Sequence, residues 1–86
     1  MKTMVNGKVS NLMPNDSHKS FYGKAKVIEN NGVITLRSYN TDVCRIVNGK
    51  FEKLWNGYSA TTMRHINAFV DAYCINGGGK KWWDNL

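Results

Sequence analysis

Cys44, Cys74, His18 and His65 are the residues of this 86-residue chain whose types suit nucleophilic catalysis or the binding of a soft metal. A nucleophile needs a base within hydrogen-bond reach and a third group to orient it, and no spacing brings any two of these four together. Structural zinc sites in small domains take ligands from closely spaced pairs that close tight loops; such pairs are missing, and no metal is expected. The six acidic residues are scattered singly beside turns or cations, which leaves no carboxylate pair for general acid and base work. Gly77-Gly78-Gly79-Lys80 has the composition of a phosphate loop, but such a loop follows a strand, opens a helix and carries Ser or Thr after its Lys. Here Lys81 follows and a helical pattern precedes, so the run reads as a helix stop and a joint. The chain reads as non-catalytic and without a cofactor.

Charge is the stronger signal. Twelve Lys and Arg against six Asp and Glu give a net charge of +6, a balance that attracts polyanions because cations release the counterions of nucleic acid. The basic residues fall in three places. Lys24 and Lys26 share one face of a hairpin, and in one register Lys26 lies opposite Arg37, a like-charge pair that needs an anion or an acidic group to relieve it. A one-residue bulge at Gly32 is the alternative that separates them. At a helix start, Ser59, Thr61, Thr62, Arg64 and His65 crowd hydroxyls, a cation and an imidazole where free amides favour anions; the plainer reading is a capping hydroxyl with His65 at the edge of an apolar stripe. In the tail, Lys80, Lys81 and Trp82 combine cations with a stacking surface, as single-strand sites do. Trp82 and Trp83 are adjacent and face different ways, so one docks on the core while the other, or Trp55, is left as an anchor for a protein partner.

The elements that position these residues follow from turn chemistry and period. Phe21 to Glu29, turned by Asn30-Asn31-Gly32 into Val33 to Tyr39, reads as a hairpin. Asp42 to Val47, turned by Asn48-Gly49 into Lys50 to Trp55, reads as a second, with Ile46 facing Phe51, Arg45 facing Glu52, and Lys53 out of place on the apolar face. Val43, Val47 and Leu54 then lie on the opposite face, where they make a docking surface if nothing covers them. After Asn56-Gly57, Met63, Ile66, Phe69, Val70 and Tyr73 recur at helical spacing, with Ser59 or Thr61 as N-cap and Asn76-Gly77 as the stop. Ala68 and Ala72 form a small-residue patch that suits either helix pairing in a dimer or simple helix propensity. The expected fold class is α+β: a three- to four-stranded antiparallel meander packed against one C-terminal amphipathic helix. Residues 1–20 form a weakly ordered arm with a marginal hairpin over Met4 to Val9, residues 21–76 the domain, and residues 77–86 a glycine hinge with a basic, aromatic tail.

A chain this short holds one core. It has no apolar run long enough for a membrane or a secretion signal, so a cytoplasmic location with free, buried thiols and no membrane partner is expected.

Ser38-Tyr39-Asn40-Thr41-Asp42-Val43, and then Trp55-Asn56-Gly57-Tyr58-Ser59-Ala60-Thr61-Thr62-Met63-Arg64-His65-Ile66-Asn67-Ala68-Phe69, resemble an uncharacterised family of small proteins from phages and mobile elements of Gram-positive bacteria. The resemblance spans about Ser38 to Tyr73 and is most specific in Tyr-Ser-x-Thr-Thr-x-x-His-Ile-Asn-x-Phe. It implies a strand hairpin followed by a helix, and a regulatory or counter-defence role of the anti-CRISPR kind. Two functions are therefore expected to compete. One is an interaction domain that binds nucleic acid or a nucleoprotein through Lys24, Lys26, Arg37, the Ser59 to His65 segment and the Lys80 to Trp82 tail. The other is an inhibitor or regulator that meets a bacterial host or defence protein through Trp55, Tyr58, Trp82 and the open sheet face.

Overall fold

Three short turns fold most of the chain onto itself. In the computed structural model, which describes residues 8–14, 21 and 23–86, strands β1 (Lys8–Asn11), β2 (Ala25–Asn30), β3 (Val33–Ser38), β4 (Thr41–Val47) and β5 (Lys50–Lys53) form one antiparallel sheet in the order β1-β2-β3-β4-β5. Helix α1 (Ala60–Ala72) and the short helix α2 (Lys80–Asp84) follow. The sheet has five strands rather than three or four. The additional strand, β1, comes from the segment read as a loose arm: its four residues are all exposed, no apolar alternation marks them, and only pairing with β2 makes them a strand. The Met4 to Gly7 half of the expected first hairpin, His18 and Tyr22 lie outside the described residues.

The hairpin registers follow the turns. Asn31 and Gly32 have φ of 53° and 83°, and Asn48 and Gly49 have 53° and 82°, which suits the tight loops whose twist matches the flanking strands. With these loops Asn30 pairs with Val33 and Val47 with Lys50, placing Ile46 opposite Phe51 and Arg45 opposite Glu52 as expected. Lys26 is opposite Arg37 with no bulge at Gly32, and the like charge is relieved by Asp42, whose Oδ1 accepts from Arg37 Nε at 2.7 Å.

One expectation about sheet faces fails. Between β3 and β4 the register passes from Leu36–Cys44 to Arg37–Asp42, which leaves Val43 without an opposing residue. This bulge turns Val43 inward beside Cys44, at 1% and 0% exposure, so Val43 belongs to the core and not to the open face. The Val43 carbonyl accepts from both Leu54 and Trp55 N–H groups, at 2.9 and 3.1 Å, and steers the chain out of β5.

Helix α1 begins with Ser59 as N-cap, its Oγ accepting from the Thr62 N–H at 3.0 Å. Its end differs from expectation. Cys74, with φ of 58°, takes the left-handed position that Gly usually fills, while the Cys74 and Ile75 N–H groups bond back to the Asp71 and Val70 carbonyls at 3.3 and 2.8 Å. The helix therefore stops before Asn76-Gly77. Met63, Ile66, Phe69 and Val70 pack on Val27, Leu36, Cys44 and Ile46 of the sheet. Ala68 is buried within the chain's own core, which removes it from any surface for helix pairing.

Both cysteines are free, but only Cys44 is buried; burial pushes its thiol up to about 12, while Cys74 is exposed. The tail is a docked helix. Trp83 is 1% exposed, its Nε1 donates to the Gly57 carbonyl at 3.1 Å, and Lys53 Nζ donates to the Trp83 carbonyl at 2.9 Å while lying 4.8 Å from its ring centroid. The misplaced Lys53 is thus accounted for: its stem lies along the core and its ammonium caps the carbonyl end of α2.

Trp83→Ala is expected to cost about 3–5 kcal/mol, a large part of the stability of a domain this size, read from urea unfolding by circular dichroism. Cys74→Gly is expected to stabilise by about 1 kcal/mol in the same measurement, because Gly adopts the left-handed conformation without a Cβ clash.

Candidate functional site

The end of β3 and the start of α1 are joined by side-chain bonds. Along β3 the alternation that turns Leu36 inward also turns Ser38 inward, and Ser38 Oγ lies 2.7 Å from His65 Nδ1 and 3.0 Å from Thr62 Oγ1. All three residues are buried, with His65 at 1% exposure. Desolvation, and secondarily the Arg64 charge, lower the His65 pKa, so the imidazole is held neutral. A hydroxyl against an imidazole has the makings of a nucleophile and base, but this pair is sealed beneath the surface and its work is to tie strand to helix.

The hydroxyls expected at the helix start are thereby divided. Ser59 caps α1 and Thr62 bonds Ser38, whereas Thr61 is exposed and Arg64 is half-buried. Above the buried network is a ring of aromatic and cationic groups. Phe21 meets His65 edge-on at 4.5 Å between centroids, Arg64 Cζ lies 5.4 Å from the Phe21 centroid, Tyr39 lies 5.7 Å from His65, and Lys24 Nζ lies 5.6 Å from the Tyr39 centroid. The first basic place and the second are therefore linked, from Lys24 to Arg64, through Tyr39, His65 and Phe21. Lys26 and Arg37 do not join them: their register puts them on the sheet face away from α1, with Arg37 paired to Asp42.

Arg64 also lines an open groove of about 610 Å³, together with Asn67, Asp71, Ile75 and Gly77 to Gly79. Asn67 Oδ1 accepts from the Gly79 N–H at 2.8 Å and fixes the glycine wall against the helix. A Cβ on Gly77 would overlap the Trp82 indole, so the glycine is needed for the wall to close over that ring. Lys80 follows the wall directly; it pairs with Asp84 at 2.7 Å and lies 5.2 Å from the Tyr58 ring. Lys81 is exposed. Trp82 is half-buried, with its ring 5.1 Å from Phe51, and Trp55 is half-buried as well, while Tyr58 is exposed. Among the described residues no group of three or more His, Cys, Asp or Glu is placed to hold a metal, and no helix is long and apolar enough to cross a membrane.

Sequence reasoning overlooked Ser38, Tyr39, Phe21 and Asn67. Ser38 had a usable signal, a small polar residue on the inward parity of Ile34 and Leu36. Tyr39 had another: an aromatic residue at a turn position where the other two hairpins carry Asn.

The lowered His65 pKa sets a sign for acid sensitivity. An unfolded chain takes up a proton near the ordinary value of 6.5, whereas the folded chain resists it. The contribution is complete above that value and is lost as pH falls through 6.5 toward the folded value. Unfolding free energies measured between about pH 7.5 and pH 5.5 should decline in the parent, and decline less in His65→Gln, which isolates this group from His18.

No curated protein and no solved structure matches the chain. A family of unknown function (DUF8033) matches over residues 8–85, a span that includes every element described above and extends well beyond the Ser38 to Tyr73 resemblance, and the chain belongs to that family.

Proposed function

We propose that this domain is a non-catalytic module that binds nucleic acid, alone or within a nucleoprotein, in the cytoplasm of a bacterial host of a phage or mobile element. The observation that supports the reading is the position of Arg64. It borders both the Phe21 ring, which His65 links to Tyr39 and Lys24, and the groove walled by Gly77 to Gly79, and so connects the first two basic places. A polyanion at the Lys24 and Arg64 end meets two cations, and the net charge of +6 draws it in. Lys26 and Arg37 stand outside this site.

A second reading has an observation of its own. The sheet face away from α1 carries half-buried Ile28, Val33 and Val47, with Val9 at 60% exposure on the edge strand. That face, with Tyr58 and Leu54, suits a host or defence protein and an inhibitory role of the anti-CRISPR kind. Trp55 and Trp82 contribute less to it, being partly covered.

Fluorescence anisotropy with short labelled oligonucleotides, titrated across salt, separates the two. The first reading expects binding at low salt that weakens as salt rises. The double variant Lys24→Gln, Arg64→Gln should flatten the slope of log K against log salt by about 0.7–0.9 for each phosphate it no longer neutralises, while Lys26→Gln leaves the slope unchanged. Absence of binding at low salt sinks the first reading and leaves the second.

A further inference from the structure

Tyr39 occupies a backbone position that its type does not favour. Ser38 pairs with Thr41, so Tyr39 and Asn40 form the whole loop between β3 and β4, and Tyr39 sits at φ of 57°. The corresponding residues of the other two loops are Asn31 and Asn48, both at φ of 53°. Asn and Gly tolerate this left-handed region; a bulky aromatic does not, and such outliers gather where a site needs a particular side chain. Core packing does not account for the tyrosine, since it is 48% exposed.

The Lys24 ammonium lies 5.6 Å from the Tyr39 ring centroid, the His65 ring, held by Ser38, lies 5.7 Å from it at a tilt, and Arg64 lies over Phe21, which meets His65 edge-on. An exposed aromatic ring with one cation against it, and a second cation linked to it through His65 and Phe21, is a place for a base whose neighbouring phosphates reach those cations. The groove beyond Arg64 has a wall of glycines that brings backbone close to whatever lies in it. Asp71 also lines that groove, two helical turns or about 10 Å beyond Arg64, and repels phosphate there. The strand's charge is therefore held at the Lys24 and Arg64 end.

We propose that the nucleic acid bound is single-stranded, with one base stacked on Tyr39 and the neighbouring phosphates held by Lys24 and Arg64. The inference rests on the nucleic-acid reading above and deepens it. A duplex hides the faces of its bases and has no use for an exposed aromatic plane, whereas a single strand offers them. When a base takes the ring, the Lys24 ammonium moves from the ring to the adjacent phosphate and stays paired.

The test compares labelled oligothymidylate and oligouridylate of about twelve nucleotides with the corresponding duplexes at low salt. Single strands are expected to bind at least about ten-fold more tightly than duplex. Tyr39→Gly should weaken the single strand by about ten-fold or more, while Tyr39→Trp retains it. The thermal midpoint of Tyr39→Gly should be equal to or above that of the parent, because glycine removes the strain; this separates a lost stacking plane from a lost fold. Parent-like affinity in a folded Tyr39→Gly, or a preference for duplex, overturns the inference and leaves the broader reading standing. Absence of binding to every oligonucleotide overturns both.

Discussion

A single helix is too narrow for this sheet. Five strands about 4.8 Å apart span about 19 Å, and an α-helix with its side chains is about 10–12 Å across. Helix α1 covers the middle strands, and the flanks must be closed by something else. On the β5 side the closure is Trp83, carried by α2 and held by Lys53 and the Gly57 carbonyl. On the β2 side it is Leu12 and Phe21, with Leu12 N–H bonded to the Ala25 carbonyl at 2.9 Å. Residues outside the hairpins and the main helix thus complete the core.

That division places the polar chemistry. Where α1 meets the end of β3, the buried Ser38, Thr62 and His65 join strand and helix, Ser38 bonding both of the others. No buried side-chain polar atom among the described residues lacks a partner, as a low-dielectric site requires. The other end of α1 is tied in the same manner, with Tyr73 Oη donating to Glu29 of β2 at 3.1 Å. The exposed ion pairs Arg37–Asp42 and Arg45–Glu52 on the open sheet face add little stability, since water screens them, but the first engages Arg37, which the sequence had placed on a binding face. The candidate site draws on Lys24 and Arg64 near the buried junction, with Phe21 and Tyr39 as its aromatic members.

Local chemistry made much of the fold legible. The two Asn-Gly turns dictate their hairpin registers because a two-residue loop admits one pairing, and the period of α1 with Ser59 ahead of it sets the helix start. Strand β1 was not legible, because its partner lies more than a dozen residues away and none of its side chains is buried. Neither was the helix end, where a cysteine does what glycine usually does, nor the inward turn of Val43, which depends on a bulge and not on alternation.

Sequence by itself determined the class, the three hairpin and helix elements and the excess of positive charge, since each rests on residues that are near neighbours in the chain. Only the tertiary structure decided which charges are company for one another. Lys24 and Arg64 are forty positions apart, and the contacts of Tyr39, His65 and Phe21 link them. Lys26 and Arg37 alternate with the inward Ala25, Val27, Leu36 and Ser38 and so face away from α1, whereas Lys24 precedes β2 and Tyr39 lies in the turn, outside that alternation. Trp83 is a core residue and Trp82 a partly covered one because α2 has a single inward side, a choice that composition leaves open. Proximity along the chain sets local form, and long-range packing sets which side chains share a surface.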